Sequence, residues 1–585
     1  MSNGRQYLHA AARRSLAVGL LLLIGSTVPV LAQAPALQQV PQGSPLPRVV
    51  PAQPPAVAPA VPPPPAPRGA PVPNRPVRIT RVVVEGVTAY PLNEIEPLTQ
   101  SLIGPDVPLS RVEAARSAIL RRYRADGYVL SAVSANIDAN GALRFVVTEG
   151  RIASVKLAGD IGPAGTQVLR FLNRLTEKRP IDSVTLERYL LLAQDVPGIT
   201  LHAVLQPSSE EPGAVNLIAE VSRQAVSGLA LVDNRASPFT GPIESLGLID
   251  LNSFTEFGEK TEFSIYHAFP NSETFGQVST EAFAGSSGLK LRIYGGYGPT
   301  VPTGVFAAEG YNGTTGVFGA LVSYPVIRSR QQTLNVYGAF DGILSSITLT
   351  TTGIRALASY DSLRVLRIGS DYARSDLLLG GDRNAVNLVS VRFSHGLPIL
   401  GASHDNSFNA PRPGERSGDF YKFNFEISRT QTLFYPLPNA SVSLMALVTG
   451  QISPDILPPV EQFYLGGARF TRGYYSGQVS GDKALAATAE LQLNTGFNFT
   501  TFGLSENVST QFYLFYDWGE TWQNQPQALN EHISSTGGGV RMQLTRYAEV
   551  DFEGLARLNR FPTGSGPNIS PLYGGAFYWR ALLRF

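Results

Sequence analysis

Few residues in this chain of 585 have the types and spacing that reaction chemistry needs. Cysteine is absent, which excludes disulfides and thiolate metal sites. The six histidines are His9, His202, His267, His395, His404 and His532, and no pair of them has ligand spacing. They read as ordinary surface or interior histidines. No Gly-x-x-x-x-Gly-Lys-Ser/Thr run offers a cradle for nucleotide phosphates. The expectation is therefore no catalytic residue, no metal, no cofactor and no enzyme. What stands out is a cluster of glycines, aromatics and arginines. It runs Phe463-Tyr464-Leu465-Gly466-Gly467, then Arg469-Phe470-Thr471-Arg472-Gly473-Tyr474. An arginine stays charged and presents a planar fork of donors, so in an enclosed place it needs a carboxylate. In water it needs none, and composition alone favours a Gly-rich loop whose Arg472 points into solvent.

The elements that could position such a cluster come from the rest of the chain. Lys and Arg total 47 against 45 for Asp and Glu, so charge gives no sign of a nucleic-acid partner. The mean hydropathy of +0.01 is too polar for a bundle of membrane helices. Arg5, Arg13 and Arg14 precede a short apolar stretch at 16–24, and Val30-Leu31-Ala32 supplies small residues for cleavage. Ala32-Gln33-Ala34 is a second candidate, with Pro35 immediately after the cut. Residues 1–32 thus read as a secretory signal peptide, since the apolar core falls short of the ~20 residues a span requires. No other stretch is long and apolar enough for a membrane helix. An exported chain of this kind enters a membrane only as a closed barrel. Residues 33–76 are rich in Pro and Ala, with an unbroken run from Pro62 to Pro65, and read as an extended spacer.

Residues 77–150 change character. A strand is expected around Ile79 to Val84, a helix over 93–103, and a second helix opened by a capping box of Ser110 and Glu113. That second helix puts Val112, Ala115, Ile119 and Tyr123 on one face and stops at Gly127. Two alternating strands follow, through Val133 and Ile137, then Leu143, Phe145 and Val147. Residues 151–223 repeat the order, with a strand from Ile152, helices near 165–175 and 183–195, and strands at 201–205 and 215–221. Matching order at a period of about 75 residues is a repeat signal.

Residues 224–585 alternate with period two again and again. Leu289, Leu291 and Ile293 interleave with Lys290 and Arg292. Tyr421, Phe423, Phe425 and Ile427 interleave with Lys422, Asn424, Glu426 and Ser428, and Leu491 and Leu493 with Glu490, Gln492 and Asn494. Strands of this kind, separated by turn residues, are what a transmembrane barrel requires, and the length allows roughly sixteen of them. Phe577, Trp579, Ala581, Leu583 and Phe585 share one face of the last strand.

With Val147-Thr148-Glu149-Gly150-Arg151-Ile152 at the join, the paired units resemble the POTRA domains of the BamA/TpsB superfamily. Two such units before a barrel resemble the two-partner secretion transporters, the haemolysin secretion and activation (ShlB/FhaC/HecB-like) family. The resemblance implies a membrane β-barrel of about 16 antiparallel strands (224–585) behind two periplasmic α+β POTRA domains (77–150 and 151–223). It implies an outer-membrane location and a secreted exoprotein, haemolysin- or adhesin-like, as partner. It also implies outer-membrane lipid around the barrel and a C-terminal assembly signal at Trp579, Leu583 and Phe585 for the barrel-assembly machinery. Arg472, Gly473 and Tyr474 resemble the Arg-Gly-Tyr motif of a loop that folds back into the lumen. Tyr516-Asp517-Trp518-Gly519 resembles the wall motif that meets it. The resemblance therefore implies a loop-to-wall lock of Arg472, Gly473, Tyr474, Asp517 and Gly519, with Arg472 paired to Asp517. Thr471 stands where the family often has valine or leucine. A plug helix, frequent in the family, has only residues 37–40 as a candidate. A second reading is a BamA-type assembly insertase, which the count of two units disfavours.

Overall fold

The structure is a computed structural model that describes residues 75–585, apart from 209–210, 271, 352, 404–417, 502–503, 527–528 and 563–570. The expected signal peptide, the spacer up to residue 74 and the candidate plug at 37–40 lie outside the described residues. Pro76, which composition places in the spacer, opens the first strand, Pro76–Ile79.

The first α+β unit is a three-stranded sheet with Ala142–Thr148 in the middle. Arg81–Glu85 runs parallel to it and Ala132–Ile137 antiparallel. The helix Leu109–Ala125 covers one face, burying Val112, Ala115, Ile119 and Tyr123 in a cluster with Leu143, Phe145 and Val147. Each large apolar side chain buried this way contributes about 1.5–3 kcal/mol. Gly127 takes φ +89° just past the helix, a backbone angle that glycine adopts without steric cost.

Two sequence expectations fail here. The helix expected over 93–103 is one turn, Leu92–Ile95, followed by the 3-10 turns Glu96–Leu98 and Gln100–Leu102. Pro97 has no amide hydrogen to continue the helical ladder. The capping box does not form either. The helix begins at Leu109 after Pro108, so Ser110 sits inside its first turn. No side chain caps that end, and the Glu113 carboxylate is taken by Arg116. A strand pair that the sequence pattern does not announce, Pro76–Ile79 with Gly104–Pro108, flanks the unit.

The second unit repeats the plan. Ala214–Arg223 is central, parallel to Arg151–Ala158 and antiparallel to Ile199–Pro207. The helices Ala164–Leu172 and Ser183–Gln194 pack on it, and the second is capped by Asp182, whose carboxylate accepts from the Thr185 amide at 2.8 Å.

Glu149, at the join, ties the first unit together. It accepts from the amides of Thr88 (2.8 Å) and Ala89 (2.9 Å), from the Tyr123 hydroxyl (2.6 Å) and from the Thr88 hydroxyl. Burial opposes its charge, but these donors outweigh it and hold its pKa below the ordinary value.

The remaining chain closes into a barrel of sixteen antiparallel strands, from Val226–Asp233 to Gly575–Arg584. Each strand pairs with its sequence neighbours in the barrel, and the last pairs with the first from Arg580↔Asp233 to Arg584↔Leu229. Closure leaves no edge for lipid to strand. Large apolar side chains point outward: Ile293 is 64% exposed and Phe577 60%. Residues of opposite parity, among them Lys422, Glu490 and Asp517, are buried in the interior. Inverted burial of this kind marks a protein whose outer solvent is hydrocarbon.

Candidate functional site

Residues 453–482 connect the strands Ala440–Ile452 and Lys483–Thr501 and fold into the lumen. The segment is a small hairpin, Phe463–Leu465 paired with Val479–Gly481, carrying a tight tip. Gly466 and Gly467 hold φ of +101° and +95° at the bend. The Thr471 hydroxyl accepts from the Gly466 amide at 2.9 Å, and the Gly467 amide donates to the Tyr474 carbonyl at 2.9 Å. This local closure presents Arg472 to the wall.

Arg472 meets Asp517 of the strand Leu504–Trp522 through a two-pronged contact. Its Nη2 lies 3.0 Å from Oδ1 and its Nε 3.0 Å from Oδ2, and its own backbone amide donates to Oδ2 at 2.8 Å. Nη1 donates to Glu490 of the neighbouring strand. The guanidinium carbon sits 3.7 Å from the Phe515 ring centroid, a cation–π contact. Arg472 is 5% exposed and Asp517 fully buried, so the pair is desolvated as well as matched.

Gly473 and Gly519 allow the loop to lie this close. A Cβ on Gly473 would stand 2.4 Å from the Ser535 Cβ. One on Gly519 would meet Leu465 Cδ1 at 2.8 Å and Thr471 Cγ2 at 3.0 Å. Thr471, the departure from the family's usual residue, therefore rests directly against Gly519. Tyr474 is buried, and its hydroxyl reaches the carbonyls of Ser534 (2.8 Å) and Asn559 (2.6 Å).

The structure thus brings Arg472, Gly473, Tyr474, Asp517 and Gly519 to one place. Trp579, Leu583 and Phe585 lie elsewhere, on the outer face of the last strand and its end. Phe585 exchanges both backbone hydrogen bonds with Gly228 at 3.1 Å, and its ring covers that glycine. Several further site residues carry no motif in the sequence. Glu490 reads there only as one polar position of an alternating strand. Arg541 donates to Glu490 at 2.7 Å, Arg235 pairs with Glu553 at 2.7 Å, and Arg557 donates to the Gly473 carbonyl. Inward parity is the one signal that could have found them. The arrangement holds the loop against the wall by both charge and shape.

The second α+β unit docks on one rim of the barrel. Arg188 donates to the Pro325 carbonyl at 2.8 Å, and Asp195 pairs bidentately with Arg328 at 2.7 and 2.8 Å. The Gln167 side chain donates to the Gly285 carbonyl at 2.8 Å, and Ser253 to the Pro197 carbonyl at 2.7 Å. The arm is thereby fixed to one side of the mouth.

Comparison with known proteins bears on this architecture. Residues 303–542 match the haemolysin secretion/activation protein family ShlB/FhaC/HecB, and residues 77–150 match the ShlB-type POTRA domain. The chain belongs to the haemolysin secretion/activation family. The outer membrane transporter CdiB of Escherichia coli O6:K15:H31 (strain 536 / UPEC) is 22% identical over 427 residues, 69% of this chain and 67% of that protein. A second Escherichia coli CdiB is 23% identical over 421 residues, with the same shares. The solved structure of CdiB from Escherichia coli superposes with a TM-score of 0.68 at 18% identity, covering 90% of this chain and 94% of that one. CdiB from Acinetobacter baumannii gives 0.60 at 16% identity, covering 88% and 90%. As a member of the haemolysin secretion/activation family, the chain is an outer-membrane protein of the two-partner secretion type with its POTRA arm in the periplasm.

Proposed function

We propose that this barrel secretes one exoprotein, which its POTRA arm recognises unfolded in the periplasm and passes through the lumen once the loop has moved. The observation that supports this reading is the enclosed Arg472–Asp517 pair, which ties the lumenal loop to the barrel wall. A permanent stopper would need no charged contact; a buried ion pair is a poor source of net stability but a good specifier of one arrangement.

The arm supplies the recognition. Ile199–Pro207 is an edge strand, exposed along most of its length, with Val204 and Leu205 open to solvent. An extended client can add to such an edge through backbone hydrogen bonds, with adjacent apolar side chains giving selectivity. No catalysis is involved, and folding of the client outside supplies the drive. Trp579, Leu583 and Phe585 serve the barrel's own assembly by the cell's barrel-assembly machinery.

The short closing ladder between Gly575–Arg584 and Val226–Asp233 favours a second reading, an insertase that opens at this seam. Deleting residues 77–223 separates the two. Retention of a single exported protein inside the cell supports secretion; general loss of outer-membrane proteins supports the insertase and removes the first reading.

A further inference from the structure

We infer that Glu461 is a second buried anchor of the lumenal loop, opposite in sign to Arg472 and additional to the partly solvated Arg469–Glu426 pair, so that the loop leaves the wall only when both buried anchors are released. Glu461 ends the turn Pro459–Glu461, on the arm of the loop that precedes the hairpin. Glu461 is 2% exposed, and its carboxylate faces two cations of the wall. Arg367, on the strand Ile354–Asp376, approaches it with Nη2 at 2.7 Å and Nη1 at 3.2 Å. Lys422, on the strand Tyr421–Leu437, pairs with the same carboxylate and donates to the Glu461 carbonyl at 2.9 Å. The Gln451 amide reaches that carbonyl at 3.3 Å.

The wall here is basic. Arg392 lines the same cavity as Arg367 and Lys422, while Asp341 pairs with Arg367 from behind. At the tip the signs are reversed, with Arg472 set against Asp517 and Glu490. The loop therefore bridges a basic stretch of wall and an acidic one, contributing the missing charge to each. Removing either partner of an enclosed pair leaves an uncompensated charge, so each anchor resists withdrawal separately. Pro458 and Pro459 stiffen the backbone at this anchor, and Asp482 accepts from the Leu457 amide at 2.9 Å, tying the two ends of the loop together, and from the Asn524 amide beyond the wall strand at 2.8 Å. Release of the tip alone leaves the first arm on the wall.

This inference rests on the loop being a movable plug, but its test needs no client. The chain has no cysteine, so one introduced thiol is a unique reporter. Leu457→Cys places it on the first arm itself, at a fully buried position against the wall. In the full-length protein in detergent or bilayers, Glu461→Gln should speed maleimide labelling of that thiol by about tenfold or more, and Glu461→Asp should leave it slow. Arg472→Ala alone should change it little, and the double variant should label fastest. Because glutamine preserves shape, a packing role would be retained in Glu461→Gln; loss of the charge should also shift the reversal potential towards anion selectivity. Labelling of Glu461→Gln at the wild-type rate, or labelling of Arg472→Ala equal to that of the double variant, overturns the inference. Should Glu461→Gln fail to assemble, Lys422→Gln carries the test, and an unchanged labelling rate there overturns it as well. Labelling changes as expected, with no single exported protein trapped when residues 77–223 are deleted, would count against the transport reading and leave the anchor standing.

Discussion

Arg472 binds Asp517 three times over, twice through its guanidinium at 3.0 Å and once through its own backbone amide at 2.8 Å. The amide contact survives any change of the arginine side chain, so the residue at 472 keeps one tie to the wall after its charge is gone. Arg472→Ala should therefore loosen the loop without expelling it. Removing one partner of a buried pair costs about 3–5 kcal/mol, and less where lumen water can enter. The expected outcome is a barrel present at normal abundance, a several-fold fall in secreted client and more frequent large conductance events. Arg472→Lys should resemble Arg472→Ala, because an ammonium cannot present the planar fork. Normal secretion by Arg472→Ala at normal abundance would remove the lock from the mechanism.

Glu149 gives the first POTRA unit a pH dependence of definite sign. Its carboxylate is held below its ordinary pKa in the folded state, by donors that prevail over the opposing effect of burial. The stabilisation is therefore complete above the ordinary carboxylate value and is lost as pH falls through the depressed one. Glu149→Gln should remove about 1 kcal/mol at neutral pH, a figure reduced because the group is partly solvated. Amide hydrogen exchange over residues 77–150 in the intact protein, followed from pH 7 to pH 3, should steepen in the wild type and flatten in the variant. Equal profiles would mean that Glu149 does not hold the unit together.

The arm should swing when its rim contacts are cut. Asp195→Ala leaves Arg328 without its bidentate partner, and Arg188→Ala removes the donor to the Pro325 carbonyl. Each contact is partly solvated and worth about 1 kcal/mol, so the double variant is the informative one. Spin labels on the arm and the barrel should report a broader distance distribution while the barrel stays folded. An unchanged distribution would assign the docking to the apolar and backbone contacts instead.

Period-two patterns expose the barrel because hydrocarbon and lumen demand opposite side chains on successive residues. Alternation by itself sorts Leu491 and Glu490 to opposite faces of their strand. The Gly-rich run through Gly473 is equally visible. Contacts that depend on which strands lie side by side are hidden: Glu490, Arg541 and Glu461 carry no local motif, and only closure of the sheet brings them to the loop. The capping box at Ser110 misleads for a related reason. Helix starts are chosen by backbone competition, and Pro108 with Leu109 wins it. Arg367 and Lys422 look like scattered polar positions because their shared partner lies on a loop 39 or more residues away.

Gly519 offers a test of shape with charge held constant. The strand position is buried under the loop, where an added Cβ would stand 2.8 Å from Leu465 Cδ1, 3.0 Å from Thr471 Cγ2 and 3.4 Å from Ala486 Cβ. Alanine can be absorbed if Leu465 rotates, at a cost of about 1 kcal/mol, whereas valine must push the hairpin inward by a larger step. Because Thr471 directly precedes Arg472, that displacement lengthens the Arg472–Asp517 contact while leaving both residues in place. Gly519→Val should therefore reproduce the secretion loss of Arg472→Ala, and Gly519→Ala should fall between it and wild type. Combining Gly519→Val with Arg472→Ala should add little, since both act on one contact. Secretion and heat-modifiable migration, measured for the wild type and the four variants, decide the matter. Additive losses would show that Gly519 serves the barrel wall independently of the lock.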